Sequence, residues 1–238
     1  MKRFKHLTVI LLGASAVLGL LSSCSKSPTS PATSEGKIKL SIKGVTRPAA
    51  GTLGKAASFI TITSAKVVIK EIEFESSSKD SVDFEMKEPF VQDLATDTTV
   101  HVLGSTQVPF GIYKEMEIEV EKLEPEDGDA YTQNPDLQNW SIRVEGYLNG
   151  DTTKTFVFTS DISVEQEQEF NPPLVIDQTS PSTNVVLVID VGSWFLDANN
   201  NPIDPTVPEN RSLIEKNIKA SFKVFEDEDD DGKEDDDD

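Results

Sequence analysis

Glu115-Met116-Glu117-Ile118-Glu119-Val120-Glu121 places an apolar residue at every second position and a glutamate at each position between. Side chains of a β-strand point alternately to opposite faces, so this stretch reads as a strand with Met116, Ile118 and Val120 on a dry face and its glutamates on a wet one. A sheet with one packed and one solvated side is characteristic of antiparallel pairing. The glutamates read most simply as a solvated face that resists edge-to-edge aggregation.

The same alternation recurs outward from this stretch. It runs through Lys37–Lys43, Val82–Met86, Trp140–Val144 and Thr155–Thr159, where Phe156 and Phe158 share a face. Phe59–Glu75 is rich in β-branched residues and reads as one long strand, or two joined at Ser64. Pro89–Leu94 and Thr98–Leu103 suit short strands, and Glu165–Asp177 and Asn184–Val191 complete the series. Val185-Val186-Leu187-Val188-Ile189 is apolar throughout and belongs in the middle of a sheet. Asn149-Gly150 is a hairpin turn signal, because both residues tolerate the positive φ that a tight turn needs. Only Glu209–Phe222 leaves the strand period: Leu213, Ile214, Ile218 and Phe222 recur at helical spacing, Asn210 or Ser212 stands ready to cap the start, and a strand follows at Lys219–Phe225. The expected fold is mainly β, an antiparallel β-sandwich of two packed sheets with one short C-terminal helix.

The amino-terminal segment has a different character. Basic Lys2, Arg3 and Lys5 precede an apolar run from Leu7 to Leu21, and Ser22 and Ser23 precede the only cysteine, Cys24. The run is interrupted by Gly13, Ser15 and Gly19 and falls short of the roughly 20 apolar residues of a spanning helix, so residues 1–23 read as a removable signal. Leu21-Ser22-Ser23-Cys24 resembles the bacterial lipobox. That resemblance implies a diacylglyceryl group on the Cys24 sulfur, cleavage before it, and acylation of the new amino terminus; two or more acyl chains anchor stably where one is marginal. It also implies an outer-membrane lipoprotein of a Gram-negative envelope, with the leaflet left open. Residues 24–36, rich in Ser, Thr and Pro, read as a flexible tether, residues 37–225 as the sandwich domain, and residues 226–238 as an acidic tail. A single cysteine excludes an internal disulfide framework and a cysteine-cluster metal site.

Charge excludes one class of partner. The chain carries 22 Lys and Arg against 42 Asp and Glu, a net charge of −20, and removing residues 1–23 makes it −23, because three cations and no acid are lost. Nucleic acid is bound by basic stripes, and this sequence has none. The membrane is therefore a partner through the lipid rather than through the protein face.

Val108-Pro109-Phe110-Gly111-Ile112-Tyr113 leads into the opening strand. A Pro-x-Gly-x-Tyr turn before an alternating strand resembles prealbumin-like and immunoglobulin-like β-sandwich modules of bacterial envelope proteins, and Gln92-Asp93-Leu94 with Asn217–Phe225 is similar to an uncharacterised lipoprotein domain of that type. The resemblance implies fold, not activity. From the residues alone, Gly111 permits a tight turn, and Tyr113 can bury its ring while its hydroxyl reaches a partner.

Several stretches invite a chemical reading. The polar loop Glu124–Asn139 presents Tyr131, and Trp194 stands at the end of an apolar strand; these are candidate ligand-contacting aromatics, against an alternative of plain surface decoration. In the tail, Asp227, Asp229, Asp231, Lys233 (through its carbonyl) and Asp238 fall at calcium-loop spacing, with Gly232 at the turn, and resemble an EF-hand-like loop; the alternative is a polyanion that holds cations diffusely. Asp197–Pro202 lacks the turn glycine and reads as an ordinary turn. Ala49 stands where a Gly-xxxx-Gly-Lys phosphate loop ending at Lys55 needs glycine. His101 is the only histidine after the signal, so a histidine-rich zinc centre is excluded and a Ser-His-Asp triad would rest on that one residue. The functional expectation is a non-catalytic envelope lipoprotein that binds carbohydrate or an envelope protein, needs no cofactor, and gains calcium at its tail. The alternatives are a glycan hydrolase using two carboxylates, which needs a pocket with facing acids, and a spacer without a ligand.

Overall fold

The computed structural model describes residues 35–45, 59–77, 83–94, 100–227 and 233. The signal, Cys24 and nearly all of the tether and acidic tail lie outside these residues. The strands, in chain order, are β1 (Glu35–Gly44), β2 (Ile60–Ser76), β3 (Phe84–Met86), β4 (Phe90–Asp93), β5 (Val100–Pro109), β6 (Gly111–Val120), β7 (Ile142–Leu148), β8 (Thr155–Ser160), β9 (Val164–Ile176), β10 (Ser182–Ile189) and β11 (Phe222–Glu226). A single helical turn, α1 (Asp129–Gln133), lies between β6 and β7, and α2 (Arg211–Lys219) precedes β11.

The strands form two sheets, as the alternating pattern requires. One has four strands in the order β11-β10-β1-β5; the other has seven, β8-β7-β2-β6-β9, with β3 and β4 also paired to β2. Neither sheet closes into a barrel. Between them lies one core, to which β1 contributes Ile38, Leu40 and Ile42, β2 Ala65, Val67, Ile69, Ile72 and Phe74, β6 Met116, Ile118 and Val120, and β10 Val185, Leu187 and Ile189. The expected dry face of the Glu115–Glu121 stretch is thus the core face of β6. Val185–Ile189 lies inside its sheet, between β1 and β11, as its unbroken apolarity requires.

Two departures from a simple antiparallel sandwich have local causes. β1 and β10 run parallel, from Lys37 opposite Ser182 to Gly44 opposite Ile189, a pairing that is free to form because the whole of β2–β9 separates the two strands in sequence. The long stretch from Phe59 to Glu75 is one strand rather than two, and a register shift between Ile62 and Ser64 marks the place where a break was expected.

Turn chemistry behaves as read. Asn149 (φ 57°) and Gly150 (φ 67°) carry the β7–β8 hairpin in the left-handed region. At the Pro109–Tyr113 turn the Tyr113 ring is fully buried and its hydroxyl donates to the Pro109 carbonyl at 2.8 Å. The ring meets Phe74 edge-on, with centroids 6.4 Å apart. The helix is shorter than its sequence pattern: Ile214 and Ile218 are buried, but Leu213 is 38% exposed. The Asn210 side chain, placed to cap α2, donates to the Asp204 carbonyl instead.

Tyr113→Phe keeps the ring and removes the hydroxyl that closes this turn. It should cost about 0.5–1.5 kcal/mol of unfolding free energy, measured by urea denaturation against the parent chain; an unchanged midpoint would show that the turn holds without the bond.

Candidate functional site

The outer face of the seven-stranded sheet is a field of glutamates. Its chemistry comes from β2, β3, β6 and β9, each alternating glutamate with a residue of the opposite face, and from the register that sets them side by side. Across β2 and β6, Glu71 pairs with Glu119, Glu73 with Glu117 and Glu75 with Glu115. Across β6 and β9, Glu119 pairs with Glu165, Glu117 with Glu167 and Glu115 with Glu169. On the other side of β2, Glu73 also pairs with Glu85 of β3. Three rows of like charge therefore cross the sheet, and the middle one, Glu85-Glu73-Glu117-Glu167, spans four strands. Like charges directly opposite one another across strands destabilise a sheet.

The sheet holds this arrangement with few cations. Lys87 places its ammonium 2.6 Å from Glu85 and 3.4 Å from Glu71, and Lys114 reaches Glu75 at 2.6 Å and Glu115 at 3.3 Å. The carboxylates in the middle titrate accordingly. Partial burial, then Glu85, Asp83, Glu75 and Glu71 in that order, push Glu73 above the ordinary carboxylate range. Burial, then Glu165, Glu73 and Glu167, raise Glu117, and burial, then Glu121, Glu71 and Glu165, raise Glu119, with Lys70 opposing. Glu75 goes the other way, because its hydrogen bond to Lys114 holds it low.

Glu71, Glu73, Glu117, Glu119 and Glu165 line a shallow depression of about 240 Å³. At its β3 side, one carboxylate oxygen from each of Glu71, Glu73 and Glu85 lies within 4.8 Å of the others. Ligand oxygens on opposite sides of a calcium ion stand about 4.6–5.2 Å apart, twice the usual Ca–O distance. The three carboxylates are therefore spaced to share a hard divalent cation.

One end of the glutamate field is bounded by the loop between β6 and β7, which packs on the same outer face. Val68 of β2 forms a second small core with Leu123 and Leu137, against which Tyr131 and Trp140 pack. A pair from Lys70 to Asp127, their side chains 12% and 6% exposed, pins the loop down, and Asp127 also accepts from the Glu124 amide at 2.6 Å. Lys66 and Arg143 hold Asp136 at 2.8 and 3.2 Å.

The aromatic candidates are placed differently from their sequence reading. Trp194 is fully buried, with its indole N–H donated to Ser221 at 2.8 Å, because the chain after β10 turns inward through a 3-10 turn at Val191–Ser193. It is a core residue, not a surface contact. Tyr131 is half-buried and packs against the second core. Asp197 is occupied by an ordinary turn, accepting from the Asn199 and Asn201 amides at 2.8 Å each.

Of the tail ligands, Asp227 and Lys233 are described, while Asp229, Asp231 and Asp238 lie outside the described residues. Asp227 is 1% exposed, and one of its carboxylate oxygens accepts from the Asn184 amide at 3.1 Å; Asn184 in turn accepts from Ser41 at 2.9 Å. Asp227, expected from the sequence as the first calcium ligand, is thus tied to the four-stranded sheet. The sheet glutamates were legible one strand at a time, as Glu71-x-Glu73-x-Glu75 and Glu165-x-Glu167-x-Glu169 beside Glu115–Glu121, but their convergence belongs to the register.

No known protein family and no curated protein matches the chain. Among solved structures, MbnP from Methylosinus trichosporium is similar over 81% of this chain and 98% of that one, at 9% identity and a TM-score of 0.35. Among the described residues, no helix is long and apolar enough to cross a membrane.

Raised carboxylate pKa values mean that the folded state holds protons more tightly than the unfolded chain at Glu73, Glu117 and Glu119. Their contribution to stability is therefore greatest when they are protonated and falls as pH rises from the ordinary value of 4.5 through the raised one. Lowering the pH from 7 toward 4.5 in low salt should raise the melting temperature, and the triple change Glu73→Gln, Glu117→Gln, Glu119→Gln should raise it at pH 7 and flatten the pH response. Calorimetric melting checks both, and a triple variant that melts lower at pH 7 would contradict the strain.

Proposed function

We propose that the protein is a non-catalytic binding module of the bacterial cell envelope, held to a membrane by lipid on Cys24, whose glutamate face captures a divalent cation such as calcium. The observation that carries the cation reading is the convergence of Glu71, Glu73 and Glu85 within 4.8 Å at the edge of the glutamate field, where a divalent ion would displace the Lys87 ammonium from Glu71 and Glu85. Such a field costs stability unless something positive completes it, and a hard cation is the ligand that oxygen clusters of this kind favour. Calcium takes six to eight oxygens, so three carboxylates leave positions for water and for oxygens of a carbohydrate or an envelope protein. Binding through a shared cation needs no aromatic platform, in keeping with a depression lined by glutamates alone.

The depression also has the facing acids that a glycan hydrolase would need. What disfavours that reading is the lining: its glutamates offer no aromatic ring and no neutral donor to hold and orient a sugar.

Calorimetric titration of the chain from Ser25 with calcium should show one stoichiometric site with a dissociation constant of about 10⁻⁴ to 10⁻³ M, the range of extracellular calcium modules. Tenfold excess over that constant should stabilise folding by about 1.4 kcal/mol. Glu73→Gln with Glu85→Gln should abolish the heat, and removal of residues 228–238 should leave it intact. A site lost with the tail would return the calcium to the acidic carboxyl end.

The anchor has a separate test. Cys24→Ser should move the protein from the membrane fraction to the soluble one, and retention of the variant in membranes would refute lipid attachment.

A further inference from the structure

The four-stranded sheet has an outer face of its own, set by the same alternation. Ile38, Leu40 and Ile42 of β1 and Val185, Leu187 and Ile189 of β10 turn to the core, so the residues between them point the other way. The register arranges these in rows. Lys39 lies beside Asn184, Ser41 beside Val186 and Lys43 beside Val188, and across β10 Val186 faces Phe225 and Val188 faces Lys223. Lys37, Lys39, Lys43 and Lys223 therefore share one face, in a chain whose net charge is −20. Glu35, the first residue of β1, and Asp227, just past β11, are the acids that the same alternation places there.

Two observations put a cover on this face and say where the chain goes next. Ser41 and Val186 are fully buried, although Val186 belongs to neither apolar core. Asp227, 1% exposed, donates its amide to the Asn184 carbonyl and accepts from the Asn184 side chain at 3.1 Å. The chain leaving β11 is thus fastened to the row that ends at Lys39. What covers the face must suit lysine. Of the segments outside the described residues, 1–34 and 46–58 carry cations and no acid, 78–82 carries one charge of each sign, and 95–99 carries a single acid. Residues 228–238 hold nine acids and one cation, Lys233. Neighbouring strands are about 4.8 Å apart, so Lys39 lies two spacings, about 10 Å, from Asp227, and Lys43 about 13 Å farther along β1. Eleven extended residues reach about 36–40 Å, enough to span both.

We propose that residues 228–238 lie across the outer face of the four-stranded sheet as an acidic strap, their carboxylates paired with Lys39, Lys43 and Lys223. The strap engages the acids of the tail with lysine and leaves the glutamate face of the other sheet to offer carboxylates to a cation. It depends on neither the lipid anchor nor the calcium site. Zero-length carbodiimide coupling joins a carboxylate to a lysine amine only where the two touch, so it reads this pairing directly. The full chain, as an equal mixture of unlabelled and nitrogen-15-labelled protein, is coupled in metal-free, low-salt buffer, and the linked peptides are identified by mass spectrometry. Lys87 with Glu85 and Lys114 with Glu75, at 2.6 Å each, are the internal references. The expected result is links from residues 228–238 to Lys39, Lys43 or Lys223 within one isotopic species, at yields within threefold of the references and falling at least threefold in 0.5 M salt. Absence of tail links while the references form overturns the strap, as do tail links to Lys87 and Lys114 as frequent as those to the sheet lysines. Links of mixed isotope to the lysine face, from the tail or from the glutamate field, overturn it too and assign the face to a second copy.

Discussion

Glutamates held directly opposite one another on hydrogen-bonded strands cannot escape their mutual repulsion without breaking the sheet. Glu73 faces Glu117 on one side and Glu85 on the other, and Glu71 faces Glu119. Repulsion in such pairs, of the order of a few tenths to 1 kcal/mol each, is opposed by the apolar face beneath them. Ile72, Phe74, Met116, Ile118 and Val120 are all fully buried there, and each such side chain contributes about 1.5–3 kcal/mol. The core fixes the register, and the register fixes the charges. A one-residue slip would relieve the repulsion only by sending those apolar side chains to water.

This ordering explains why the face is available for binding. A protein that only needed solubility would gain it from charges of both signs, interspersed. Here Glu73 and Glu117 are raised by partial burial and by neighbouring carboxylates, while Lys87 engages Glu71 and Glu85, and Lys114 engages Glu75 and Glu115. A divalent cation supplied from solution to Glu71, Glu73 and Glu85 would bring positive charge to Glu73 while replacing Lys87 at its two neighbours. The loop carrying α1 limits the field on one side, since the Lys70–Asp127 pair and the small core around Val68 hold it against the same face.

Much of the architecture was legible because it follows from period. Alternation located the strands, Asn149-Gly150 located a hairpin, and the shift to helical spacing located α2 and the strand after it. The candidate site was not legible, for a physical reason. Each glutamate run, taken alone, is what a solvated strand face looks like; what distinguishes these is that three runs, with Glu85, share one face in register, and pairing between strands far apart in sequence is set by the whole core. The Trp194 candidate failed for the converse reason. Trp194 sits beside a polar turn in sequence, yet the 3-10 turn before it drives the indole into the core, where Ser221 satisfies its N–H. Asp227 looks like the first of a series of acids, but the pairing of β11 with β10 carries it into a buried bond with Asn184.

The account's central claim is that the register of the seven-stranded sheet builds a cation site from Glu71, Glu73 and Glu85. The most direct measurement is diffraction from crystals grown with calcium, using its anomalous signal to locate the ion. The account predicts a peak among these three carboxylates with oxygens at about 2.3–2.6 Å. A peak confined to the acidic tail, with the sheet carboxylates bare at saturating calcium, would contradict it.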